Sequence, residues 1–160
     1  MFAASMNRDL KFDEMRRAQQ SVRHVLDLRS PETLRTYRDG GKGWTVTEVL
    51  CHLRDFESVF LERAQLTAKS EFPDIPFPDP DQLAVDHHYA DEEAWPAFED
   101  WHRRRRALLE FLECLPEEAW ERAANHPTRG RFTLHQQLML TAWHDVNHLE
   151  QITRILVEKK

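Results

Sequence analysis

Apolar residues recur at three- and four-residue spacing in four stretches of the chain, and no stretch alternates as a half-buried strand does. The first stretch runs from about Asn7 to Leu28, with Leu10, Met15, Val22, Val25 and Leu26 on its apolar side and Asn7 as its N-cap. The second starts at Thr45, where Thr45 and Glu48 fit a capping box, and Trp44 with Val49 fits the accompanying hydrophobic staple. Val49, Leu53, Phe56, Phe60 and Ala64 carry this helix to about Lys69. The third covers roughly Glu92 to Leu115, with Asp91 as cap and Phe98, Trp101, Leu108, Leu109, Leu112 and Leu115 as its stripe. Pro96 is tolerated only within a first turn, which moves the start toward Trp95. The fourth begins at Thr133, where Thr133 and Gln136 again fit a capping box, and runs to the C-terminus.

The connections differ in kind. Pro31, Gly40, Gly41 and Gly43 punctuate the first. Residues 71 to 90 hold Pro73, Pro76, Pro78 and Pro80, a spacing that excludes a continuous helix. Phe72, Ile75 and Phe77 would pin this long connection against the helices. Residues 116 to 131 read as a shorter turn region. The pattern predicts an all-α fold, a four-helix bundle with a long crossover between the second and third long helices, as a single domain over residues 1 to 160.

Composition narrows the function classes. The 160 residues carry 22 Lys and Arg against 28 Asp and Glu, a net charge of −6, which gives no electrostatic reason to expect nucleic acid as a partner. No apolar run reaches the length of a membrane helix, and the N-terminus lacks a signal-peptide core. Two cysteines, Cys51 and Cys114, make no disulfide framework, so a reducing, cytoplasmic setting is expected.

Nine histidines are the unusual count. On the fourth helix His148 shares a stripe with Leu134, Leu138, Thr141, Ile152 and Ile155, and His144 lies one turn earlier. On the second helix His52 precedes Phe56 and Val59 at i+4 and i+7, on the apolar side. Burying an unpartnered polar group costs roughly 1–3 kcal/mol, and a shared divalent metal or internal hydrogen bonds would relieve it. Spacing alone leaves both open. Three histidines on one metal would leave a ligand position free, the catalytic pattern of zinc sites.

Three short motifs then carry a resemblance. They are Gly43-Trp44-Thr45-Val46 with Glu48-Val49-Leu50 and His52-Leu53-Arg54-Asp55; His126-Pro127 with Gly130 and Phe132-Thr133-Leu134; and His144-Asp145 with Asn147-His148-Leu149 and Gln151-Ile152. In order and separation the chain resembles the DinB/YfiT-like family of metal-dependent proteins. The resemblance implies an up-down-down-up bundle and a divalent metal, zinc or nickel, on His52, His144 and His148. It also implies a metal-dependent enzyme working on a small molecule, as a thiol-dependent S-transferase with a low-molecular-weight thiol or as a hydrolase, and a homodimer. A non-catalytic metal or small-molecule binding module on the same bundle is the alternative.

Around the three histidines, Asp55, Gln151 and Glu48 each lie one helical turn from a candidate ligand and could orient its ring or shuttle protons. The capping box gives Glu48 a competing task. Arg105 falls on the apolar stripe of the third helix and could bind an anionic thiol cofactor or substrate, although a salt bridge is the favoured reading. His87 and His88 could line an entrance.

Overall fold

The computed structural model describes residues 2–158. Four long helices form the bundle: α1 (Phe2–Asp27), α3 (Val46–Lys69), α5 (Ala94–Glu113) and α6 (Leu134–Glu158). Two short helices, α2 (Pro31–Thr36) and α4 (Pro80–Asp86), lie in the connections. α3 packs on α5 and α6, and α1 packs on α6 and α5. Helices consecutive in the chain therefore stand diagonally, except α3 and α5, which are neighbours joined by the crossover. The four long helices run up, down, down, up.

Both expected capping boxes are present. Thr45 Oγ1 accepts from Glu48 N at 3.2 Å while Glu48 Oε2 accepts from Thr45 N at 2.7 Å. Thr133 and Gln136 make the same reciprocal pair at 3.2 and 2.9 Å. Two expected caps are not. Asn7 lies inside α1, which starts five residues before it at Phe2. Asp91 lies in a 3-10 turn, and α5 starts at Ala94, so that Pro96 falls in the first turn where its missing N–H is harmless.

The expectation of no strand is corrected. β1 (Ala123–His126) and β2 (Gly130–Thr133) pair antiparallel between α5 and α6, with Gly130 at φ 68° closing the hairpin. Strands this short, one of them beginning Ala-Ala-Asn, have too few residues and too little β-branching to show an alternating pattern. Tertiary contacts stabilise them instead. The crossover pairs with β1 through Asn125 N to Pro73 O at 2.8 Å and Ile75 N to Asn125 O at 3.2 Å. Ile75 is buried with Ala124 and Phe132, whereas Phe72 and Phe77 are exposed, so Ile75 is the apolar pin.

Candidate metal centre

His52 from α3 and His144 and His148 from α6 face one another where these helices pack. Their ring nitrogens converge: His52 Nε2 lies 3.0 Å from His144 Nε2, and His148 Nε2 lies 3.2 Å from the same atom. His52 and His148 are buried, and His144 is half-buried. Burial lowers all three from the ordinary histidine range, His52 to about 3, and neighbouring histidine rings add to the effect at His52 and His144. The rings are therefore neutral, the form that binds a metal.

The tautomer of His148 follows from its surroundings. Gln151 donates from Nε2 to Asp39 Oδ2 at 3.0 Å, so its oxygen faces His148 Nδ1 at 2.8 Å. Nδ1 must then carry the hydrogen, and Nε2 presents a lone pair. Asp39 is held in turn by Arg154 Nη1 at 2.7 Å. Asp39 sits in a tight turn with Gly40 at φ 55° and Gly41 at φ 79°. Gly43 closes it by donating to Asp39 O at 2.7 Å, an approach that leaves no room for a Cβ. The sequence marks this turn by its glycines, but not that Asp39 reaches helix α6.

His52 and His144 are positioned differently. Neither Nδ1 has a hydrogen-bond partner among the described residues. Packing orients them instead. The His52 ring lies 4.3 Å from Phe56 and 5.0 Å from Trp44, and the His144 ring lies 5.6 Å from Phe56 and 5.2 Å from Phe60.

This donor set fits a divalent cation. With no hydrogen on His148 Nε2, a single hydrogen on His144 Nε2 cannot fully serve both short contacts. A cation attracts all three lone pairs at once. Two nitrogens bound to one tetrahedral zinc at the usual distance stand about 3.3 Å apart, close to the observed 3.0 and 3.2 Å.

The remaining predicted residues divide. Gln151 contacts a candidate ligand. Glu48 caps α3 and accepts from Arg38, with no bond to a histidine. Asp55 points toward the crossover and α5, where it accepts from Arg54, Arg104, Tyr89 Oη and His87 Nδ1. Burial would raise the Asp55 carboxyl, but hydrogen bonds from Arg54, His87 and Tyr89 hold it below the usual range. His87 thus ties the crossover to α3, while His88 is exposed. Arg105 is fully buried, and its five donors go to Glu57, Asp145 and Met15 O, leaving none for an anionic cofactor. Cys51, beside His52, has its thiol pushed up to about 12 by burial, which removes it as a nucleophile.

Comparisons with known proteins agree with this architecture. The family model of the DinB superfamily matches residues 14–152. A protein of Oceanobacillus iheyensis is 31% identical over 137 residues, covering 84% of this chain and 77% of the relative. YfiT of Bacillus subtilis is 31% identical over 136 residues, covering 74% of this chain and 66% of YfiT. Both bear names of the form "Putative metal-dependent hydrolase". The solved structure of YfiT, described as having "an unusual four-helix bundle topology", matches with a TM-score of 0.85 at 24% identity, covering 94% of this chain and 86% of that one. The sequence match takes in all of α3 and α5, parts of α1 and α6, and the three converging histidines, and by it this chain belongs to the DinB superfamily.

Proposed function

We propose that this protein is a divalent-metal-dependent enzyme acting on a small molecule, with zinc or nickel on His52, His144 and His148. The observation that carries the reading is the convergence of three neutral imidazoles, one with its lone pair fixed inward by Gln151. The chemistry such a cation supplies is activation of a nucleophile, water or a low-molecular-weight thiol, at the ligand position that three histidines leave free. The chain's own residues do the rest. Gln151 and Asp39 keep the His148 proton on Nδ1. Trp44, Phe56 and Phe60 wall the site with apolar rings. Hydrolysis uses water as that nucleophile and S-transfer uses the thiol. The relatives' names favour hydrolysis, and the same geometry serves either reaction.

Metal content of the purified, tag-free protein tests this, beside His52→Ala and His144→Ala. One equivalent in the wild type, lost in both variants, is the expected result. An absence of metal after reconstitution with zinc and with nickel would overturn it. A loaded protein that turns over neither hydrolase nor thiol-transfer substrates would be a binding module instead.

The same reading extends to a homodimer in the cytoplasm. Both cysteines are free, and no helix among the described residues is long and apolar enough to cross a membrane. Between α1 and α6 lies a groove of about 710 Å³ lined by Leu10, Met139, Val146 and Leu149, with Lys11 and Arg17 beside Asp13 and Glu14. Charges of both signs on one apolar face suit self-pairing about a two-fold axis. Light scattering of wild type and Leu10→Glu, with the dimer lost in the variant, is the check.

A further inference from the structure

Four arginines of this chain are buried: Arg8, Arg54, Arg63 and Arg105. Arg8 pairs with Glu117, Arg54 with Asp55 and Glu92, and Arg105 with Glu57 and Asp145. Arg63, only 3% exposed, has no carboxylate partner among the described residues. Its Nε donates to Pro76 O at 2.8 Å, and its Nη2 has no partner among the described residues. A buried cation left unpaired carries a desolvation penalty of several kcal/mol.

The surroundings add to this. The guanidinium lies 5.7 Å from the Phe60 ring and 5.8 Å from the exposed Phe77 ring. Phe60 is the ring that abuts His144, 5.2 Å away, and the Arg63 charge is among those that lower His144. A second cation, Arg129, acts on Arg63, whose pKa falls to about 10 through burial first and Arg129 second. His126, 1% exposed, lies 4.9 Å from Phe77. Its Nδ1 accepts from Thr128 N at 3.2 Å, so its hydrogen sits on Nε2, a donor with no partner among the described residues. Burial, Arg63 and Arg129 all lower its pKa, which keeps it neutral. One aromatic ring from the three histidines there are thus two cations and a free N–H, and the exposed Glu62, whose charge opposes that of Arg129 on Arg63, forms no ion pair with Arg63 among the described residues.

We propose that Arg63, with His126 and Arg129, forms an oxyanion subsite that takes a carboxylate of the substrate while its reacting group sits at the three histidines. The subsite stands on Arg63 itself; only its description as part of a substrate site rests on the metal-enzyme reading. With Nε engaged by Pro76, the two terminal nitrogens remain, and a planar carboxylate can meet both. An anion placed there neutralises Arg63 and separates its charge from that of a bound dication. The role first considered for Arg105 passes to Arg63, because Arg105 carries its own carboxylates.

Calorimetric titration of the metal-loaded protein with benzoate, and separately with inorganic phosphate, tests the subsite. Saturable benzoate binding is expected, at least tenfold weaker in Arg63→Met and several-fold weaker in Arg129→Gln, with metal stoichiometry unchanged in both. Arg129 is exposed, so its replacement leaves the fold intact even if Arg63→Met does not fold. Saturation by phosphate with the same dependence on Arg63 also supports an oxyanion subsite and assigns it to phosphate esters. Chelator-treated wild type keeps the benzoate site, so failure of the metal reading leaves this result standing. Absence of saturable binding of both anions, or equal affinity in wild type and Arg129→Gln, would overturn the proposal.

Discussion

Arg105 on α5 and Asp145 on α6 form a doubly hydrogen-bonded ion pair, Nη1 to Oδ2 at 2.6 Å and Nη2 to Oδ1 at 2.9 Å, one residue from His144. The other edge of the guanidinium meets both oxygens of Glu57 on α3, at 2.6 and 2.8 Å. With a further bond from Nη1 to Met15 O on α1 at 3.2 Å, one side chain thereby ties all four long helices together. A carboxylate adjacent to a candidate ligand is thus a helix lock, not a proton acceptor for the reaction. Because α3 and α6 carry the three histidines, this lock also fixes the registry of the metal centre.

Arg105→Met removes the shared cation and leaves two buried carboxylates uncompensated. Breaking a buried pair on one side costs about 3–5 kcal/mol, and here two acids lose their partner. The urea midpoint should fall accordingly. A loss below about 1 kcal/mol would show that the lock contributes little. Arg105→Met/Glu57→Gln/Asp145→Asn should recover part of the loss, since no isolated charge remains.

The hydrogen-bond chain from His148 through Gln151 and Asp39 to Arg154 predicts a graded series. Partners that orient a ligating histidine typically contribute 10–100-fold in metal affinity. Gln151→Leu should weaken metal binding by that factor without unfolding the protein, and Arg154→Leu by less, as it acts one step further away. Competition with a chromophoric chelator measures both. Equal affinity in Gln151→Leu and wild type would remove Gln151 from the metal centre.

Gly43 extends the same argument to the backbone. A Cβ there would stand 2.8 Å from the Asp39 carbonyl oxygen and 3.0 Å from Asp39 Cβ. The turn must then open, and Asp39 moves away from Gln151. Gly43→Ala should lower metal affinity in the manner of Asp39→Asn, with circular dichroism of the bundle preserved. If Gly43→Ala binds metal as tightly as wild type, the turn does not position Asp39.

The legible and illegible parts of this structure differ in the range of the interactions that make them. Helix α3 was readable because its cap, Thr45-Val46-Thr47-Glu48, and its apolar period are local signals. His52, His144 and His148 could be singled out because each breaks an apolar stripe at helical spacing. The hairpin 123–133 could not, since pairing with Pro73 and Ile75 of the crossover supports it from about fifty residues away. Asp39 and Arg63 were equally hidden. One acts through a turn that folds onto a helix 112 residues later in the chain, and the other matters for the carboxylate it lacks, which no sequence pattern displays. Asp55 and Gln151 share the one-turn offset from a histidine that suggested both. Only Gln151 faces its ring, because Asp55 is drawn to Arg54, Arg104, Tyr89 and His87.

The pH dependence of the metal-free protein follows from the three rings. His52 is depressed to about 3 by burial, and His144 and His148 are lowered as well. In the unfolded chain each titrates near about 6.5. Between these values the unfolded state binds more protons than the folded state, so stability is full above about pH 6.5 and is lost as pH falls toward the folded pKa. Each fully shifted ring contributes at most about 1.4 kcal/mol per pH unit in that window. Chelator-treated protein should therefore show a falling urea midpoint from pH 7 to pH 5. His52→Leu should have a shallower slope, because one of the three rings no longer takes up a proton on unfolding. A midpoint independent of pH over this range would mean that the rings accept protons in the folded state, and the neutral donor set inferred for the metal would be lost with it.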